Sequence, residues 1–141
     1  VDRNFLKIAC YIHDIGKMVT GSWASRHLRP DIFHLYEGYY FMVNKGYENL
    51  ARVCVCHVCG AGADRQLNRQ NGFIPKDFFP RSVEEKIVGY ADARTDPKPD
   101  VGPYVWPISR PLTQFKKHRG VVPRLRANHR FIQRITGGTI R

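Results

Sequence analysis

The run His13-Asp14-Ile15-Gly16-Lys17 places an imidazole, a carboxylate and an ammonium within five residues. A neutral imidazole and an adjacent carboxylate at the end of a helix can face one divalent cation if the backbone loosens there. Gly16 supplies that freedom and lets the chain turn away. Lys17 then puts a positive charge where a phosphate oxygen would sit. Taken alone, a His-Asp pair is common, and a histidine near the negative end of a helix dipole explains it equally well.

Further residues of the same chemistry follow along the chain. His34 has Glu37 one turn on and Gly38 to allow close approach, and His57 stands directly before Gly60-Ala61-Gly62. Asp92 closes Val88-Gly89-Tyr90-Ala91-Asp92, an apolar setting in which a carboxylate needs a counter-charge. Each of these residues has an ordinary structural explanation. Four helices each aiming one His or Asp inward is a much rarer coincidence.

The elements that position them read as helices. Phe5, Leu6, Ile8, Ala9 and Ile12 have helical spacing, so a first helix is expected over 5–13, stopped by Gly16. A polar loop over 19–30 precedes a second helix, capped by Asp31 and running over 32–44. A third is expected over 47–59. Pro75 to Phe79 reads as a short helical turn after a polar loop. Ser82-Val83-Glu84-Glu85 has the form of a capping box, opening a fourth helix through Asp92. Between Thr95 and Pro111 five prolines exclude regular helix and imply an extended connection. A last amphipathic helix spans 121–135. The expectation is an all-α fold in a single domain over 1–141, with a core over 2–94, a connector over 95–120 and a C-terminal helix over 121–135.

The totals bound the partners. With 43% apolar and 12% aromatic residues, the 141-residue chain can bury a core, which excludes disorder. A net charge of +11 attracts polyanions or serves only as a solvated surface. Arg119, Arg124, Arg126, Arg130, Arg134 and Arg141, with Lys116 and Lys117, make a basic tail in which only Phe115 and Phe131 interleave as aromatics. These charges read as wrapping the polar side of the last helix, a solvated face, with nucleic acid as the other partner they could meet. No apolar stretch reaches membrane-spanning length. Cys54, Cys56 and Cys59 crowd one expected helix, unlike a disulfide framework, so a cytoplasmic location is expected. Zinc in the structural style needs a second, distant Cys pair, so buried thiols are the expected state.

The order His13-Asp14-Ile15-Gly16-Lys17, His34-Leu35-Tyr36-Glu37-Gly38, His57-Val58-Cys59-Gly60-Ala61-Gly62 and Glu84-Glu85-Lys86-Ile87-Val88-Gly89-Tyr90-Ala91-Asp92 resembles the HD superfamily of metal-dependent phosphohydrolases, in its HDIG-type branch. The resemblance covers about 2–94 and implies an HD-type helical bundle. It implies that His13, Asp14 and Asp92 bind a principal metal, and that Asp14 bridges to a second held by His34 and His57. The cofactor implied is one or two divalent ions, with iron, manganese, zinc and magnesium all compatible. The family's first His ligand, on an upstream helix, has no counterpart after Val1, so the chain is expected to be N-terminally truncated; His27 and His118 are conceivable substitutes. The implied activity is hydrolysis of a nucleotide or other small phosphorylated compound, with Asp14 and Lys17 catalytic. The alternative is a non-catalytic basic helical module binding RNA or an acidic partner.

Overall fold

The computed structural model describes residues 1–20, 32–98, 102–118 and 120–138. Helix α1 (Arg3–Ile12) starts at Asp2, whose carboxylate accepts from the amides of Asn4 and Phe5. After one loose turn α2 (Gly16–Thr20) follows. Helix α3 (Phe33–Asn44) and α4 (Glu48–Cys56) form an antiparallel pair, and a 3₁₀ turn over Val58–Gly60 prolongs α4. A short α5 (Arg65–Gln70) is capped by Asp64. Helix α6 (Val83–Asp92) leads into a two-stranded antiparallel ribbon, β1 (Thr95–Lys98) and β2 (Gly102–Val105). Then come α7 (Ser109–Gln114) and α8 (Val121–Ile135). The all-α expectation holds. Among the described residues no helix is long and apolar enough to cross a membrane.

Helix α4 lies at the centre, and Ala51, Val53, Cys54, Val55 and Cys56 on it are all buried. Its sides serve separate clusters. Val53 meets Ala9 of α1 and Val88 of α6, while Val55 joins Leu35, Tyr36, Phe73 and Phe78. Ala51 and Cys54 meet Met42 of α3. Each large side chain buried there contributes about 1.5–3 kcal/mol by leaving water. The C-terminal helix belongs to this body, since Val121, Leu125 and Ile132 pack with Tyr90 and Ala61. Asn128 donates to the carbonyls of Gly60 and Lys86 at 3.1 Å each.

Several sequence-based expectations need correction. Gly16 does not stop a helix but begins α2, where it lets two backbones touch. A Cβ at Gly16 would stand 1.8 Å from the His34 carbonyl oxygen and 2.6 Å from the Gly38 amide nitrogen. The third helix ends at Cys56, because Cys59 takes a left-handed φ of 55° and turns the chain. The turn expected at Pro75 to Phe79 is not helical: the chain bends at Pro75 and Lys76 and then bridges Phe78 to Ala63, and α5 occupies what read as polar loop. The described part of the connector is likewise structured. Pro97 and Pro103 face each other in the ribbon, where neither needs to donate to the ladder. Pro111 and Pro123 sit in the first turns of α7 and α8, where the lost N–H has no intrahelical partner anyway. The cap assigned to Asp31 lies outside the described residues.

Candidate metal centre

The capping box that opens α6 is present as expected: Ser82 accepts from the Glu85 amide at 3.1 Å, and the Glu85 carboxylate accepts from the Ser82 amide at 3.3 Å. Helix α6 thereby runs in a fixed frame to Asp92, its last residue. His13 and His57 occupy the positions just beyond the ends of α1 and α4. In each, Nδ1 lies against a carbonyl of the preceding turn, Cys10 O at 2.7 Å and Val53 O at 3.0 Å. A carbonyl only accepts, so Nδ1 carries a proton in both rings and Nε2 is the nitrogen left to meet other groups.

Those Nε2 atoms converge on acids. His13 Nε2 is 3.6 Å from Asp14 Oδ2 and 3.5 Å from Asp92 Oδ1. His57 Nε2 is 3.6 Å from Asp14 Oδ1, which His34 Nε2 also approaches at 3.0 Å. Lys17 Nζ donates to Asp14 Oδ2. One donor atom from each of His13, Asp14 and His57 lies within 4.8 Å of the others. The His13 and His57 rings meet edge to face with centroids 5.0 Å apart, nearer than the 5.9 Å between His34 and His57.

The charges are arranged for a cation. Burial disfavours ionisation of Asp14, but hydrogen bonds from His34 and Lys17 and the neighbouring imidazoles outweigh it and hold its carboxyl well below the usual range. Asp92 is shifted down in the same way: burial opposes the charge, and the hydrogen bond from His13 and the two imidazoles prevail. Burial lowers the pKa of His57, against the pull of Asp92 and Asp14, and so keeps it neutral. For His13 burial also opposes the charge, but the hydrogen bond to Asp92 and the two carboxylates raise its pKa. Two anionic carboxylates beside two imidazole Nε2 atoms, each ring oriented by a backbone carbonyl, fit a divalent transition metal, which would displace the proton that His13 shares with Asp92.

Comparison with known proteins adds two distant relatives. Over 93 residues the chain is 32% identical to an uncharacterized protein of Methanocaldococcus jannaschii, a match covering 65% of this chain and 49% of that protein. Over 92 residues it is 29% identical to a tRNA (cytidine(56)-2'-O)-methyltransferase of Picrophilus torridus, covering 64% of this chain and 24% of the enzyme. The chain thus spans less than half the length of either relative. No protein-family model matches it. No solved structure matches it significantly.

The methyltransferase overturns the expected function. A relative named for methyl transfer is not a phosphohydrolase, and the expectation of hydrolysis of a nucleotide or small phosphorylated compound is withdrawn. The physical reason is that a His-Asp ligand set specifies what it binds, not the reaction run beside it. That relative does not bear out a non-catalytic RNA-binding module either, since it is itself an enzyme.

Of the five residues expected as ligands, His13, Asp14 and His57 form one donor group, while His34 reaches only Asp14 and Asp92 lies against His13; His57 therefore falls on the His13 side rather than pairing with His34 alone. Lys17 is engaged with Asp14, and Glu37 is half-buried outside the donor group. His118 is exposed and outside it too, and His27 lies outside the described residues. The cysteines are buried thiols as expected at Cys54 and Cys56, with Cys59 half-buried and Cys10 exposed.

The basic helix differs from its expected even spread. Arg124 turns inward, donating to the Ala61 and Gly62 carbonyls and lying 4.4 Å over the Phe79 ring. Arg126, Arg130 and Arg134 are exposed four residues apart, and Lys116 and Lys117 are exposed before them. Arg119 and Arg141 lie outside the described residues. Sequence reasoning also missed Trp106 and Arg110, which line a cleft beside Asp92, and the buried Arg94, whose Nε donates to the Trp106 carbonyl. An arginine two residues beyond the last candidate ligand was the one signal of them.

Proposed function

We propose that the chain is the metal-centred helical domain of an enzyme, of the HD type its motifs resemble. It holds a divalent cation through His13, His57, Asp14 and Asp92. His34 and Lys17 position the Asp14 carboxylate. A cation held there would act as a Lewis acid on an oxygen ligand brought to it. One observation carries this reading: two imidazoles from different helices, each with Nδ1 committed to a carbonyl, turn Nε2 toward the same carboxylate. The name of the Picrophilus relative supports an enzymatic setting, and the match to a quarter of its length supports a domain that works as part of a larger protein.

Elemental mass spectrometry of the purified chain, before and after loading with manganese, iron or zinc, tests the centre. About one equivalent is expected in the parent, and removal of one ligand should weaken binding by at least ten-fold, about 1.4 kcal/mol or more. His57→Ala and Asp14→Ala should therefore lose the metal while retaining helical circular dichroism. A parent that takes up no metal after loading, or variants that keep it, would refute the reading.

A further inference from the structure

A cleft of about 340 Å³ opens between α8, Lys86 of α6 and the segment at Phe79 and Pro80. None of the candidate metal ligands is among its described lining residues, and Lys86 precedes Asp92 by six residues, about 9 Å along α6. Phe79 and Phe131 give it aromatic walls, one from the loop and one from α8.

The charge around this cleft is of one sign. Lys86, Arg124 and Arg134 line it, and among the described lining residues none is acidic. Arg124 is already engaged, donating to the Ala61 and Gly62 carbonyls while it lies over Phe79. The Lys86 ammonium rests 4.4 Å over the Phe131 ring, and Arg134 is exposed. Among the described residues neither of these two forms an ion pair.

The cleft also borders an acceptor that nothing meets. Asn128 lines it and is only 7% exposed. Its Nδ2 donates to the Gly60 and Lys86 carbonyls, which fixes the amide, because two carbonyls cannot face its oxygen. Oδ1 is left with no partner among the described residues. Such an acceptor is destabilising in a folded chain unless a donor comes to it from outside. The oxygen is closed to solvent as the side chains stand, so that donor must displace one of them. Lys86, with a flexible four-carbon stem rooted beside Asn128, is free to move aside.

We propose that this cleft binds a small aromatic carboxylate, whose ring packs on Phe79 and Phe131, whose N–H or O–H donor meets Asn128 Oδ1, and whose carboxylate faces Lys86 and Arg134. The rings favour a flat aromatic body, and two cations from different helices suit the two oxygens of one carboxylate. A volume near the lower end of ligand pockets suits a single-ring compound. The site stands apart from the metal-centre reading and needs no metal.

The probe is 4-aminobenzoate, which carries a donor and a carboxylate at opposite ends of one ring. Ligand-observed NMR titration of the full chain at constant ionic strength should show saturable binding. A dissociation constant of about 1 mM or tighter is expected, the range open to a well-matched ligand of this size. Benzoate, which lacks the donor, should bind about two- to ten-fold more weakly, the worth of one neutral hydrogen bond. K86A and R134A should each weaken 4-aminobenzoate by about two- to five-fold, as exposed ion pairs do. R126A, exposed on α8 and outside the cleft, should bind as the parent does. Circular dichroism melts establish that each variant is folded, and titrations with and without added zinc should agree.

A parent chain that binds no 4-aminobenzoate saturably overturns the proposal, as does a K86A/R134A double variant that binds it as tightly as the parent. Benzoate that binds as tightly as 4-aminobenzoate shows that Asn128 Oδ1 recognises nothing, and overturns it too. Binding that appears only with zinc places the probe at the metal centre, which strikes this cleft as its site and leaves the metal-centre reading untouched.

Discussion

Replacing Gly16 by alanine puts a methyl group into backbone. The new Cβ would stand 1.8 Å from the His34 carbonyl oxygen, 2.7 Å from its carbon and 2.6 Å from the Gly38 nitrogen. None of these atoms can rotate aside, so α2 must withdraw from α3 by about 1.5 Å to regain even a tight contact. Asp14, in the turn leading into α2, moves with it. The 3.0 Å contact between Asp14 and His34 then opens to about 4.5 Å, beyond hydrogen-bonding range. Overpacking of this kind costs about 3 kcal/mol, which at this chain length lowers the melting temperature by about 12 °C. Gly38→Ala is the milder comparison on the same contact: its Cβ meets the Gly16 nitrogen and Cys54 Cβ at 3.2 Å and Cys54 Sγ at 3.3 Å, so its neighbours need give only a few tenths of an ångström. That variant should lose less than about 1.5 kcal/mol. Thermal melts followed by circular dichroism, with bound metal measured on the same samples, decide the matter. A Gly16→Ala protein that melts within about 3 °C of the parent and keeps its full metal content would show that this backbone contact does not position Asp14.

Other expectations follow from the same interactions. Glu85→Ala removes a buried carboxylate that accepts from Arg52 at 2.9 Å and completes the α6 cap; it should lower stability by about 3 kcal/mol in urea titrations, leaving Arg52 without its counter-charge and with only the Phe79 carbonyl to donate to. Arg124→Ala, which loses two carbonyl contacts and the stacking on Phe79, should cost about 2 kcal/mol. Arg126→Ala, on the exposed side of the same helix, should stay within about 0.5 kcal/mol by the same assay. Burial pushes the Cys54 thiol up to about 12 and Cys59 to about 11, and raises Cys56 as well. A thiolate forms only as pH nears the pKa, so an aromatic disulfide reagent at mildly alkaline pH should find exposed Cys10 first. The other cysteines should react only after denaturation, and raising the pH further within the native range should speed Cys10 alone.

The candidate ligands were legible because a metal centre needs unusual residue types at helix ends, and the periodicity of the flanking apolar residues located those ends. The boundaries of α8 and the Ser82 capping box were legible for similar local reasons. What escaped depended on contacts between distant segments. Gly16 read as a helix stop because glycine usually is one; only the nearness of α3 turns it into a contact point. Pro97 and Pro103 read as breakers because nothing local reveals that they would sit opposite each other in a ribbon. Arg94 read as the edge of a motif, and its role depends on Trp106, twelve residues on. The resemblance pointed to residues that the fold gathers near Asp14 but not to the reaction, since reaction depends on what stands around a cation as well as on what holds it.

The tethers on His13 and His57 bear on how such a centre survives mutation through generations. Each ring is aimed by a carbonyl three or four residues back on its own helix, and a carbonyl is common to every amino acid. The side chains at positions 10 and 53 can therefore drift without altering the aim, provided the last turn of each helix persists. An insertion within that turn is a different event, because one extra residue swings the ring by about 100° around the helix axis. The heritable part of the centre is thus the count of residues between tether and ring, and relatives should tolerate substitution there far better than a change of length.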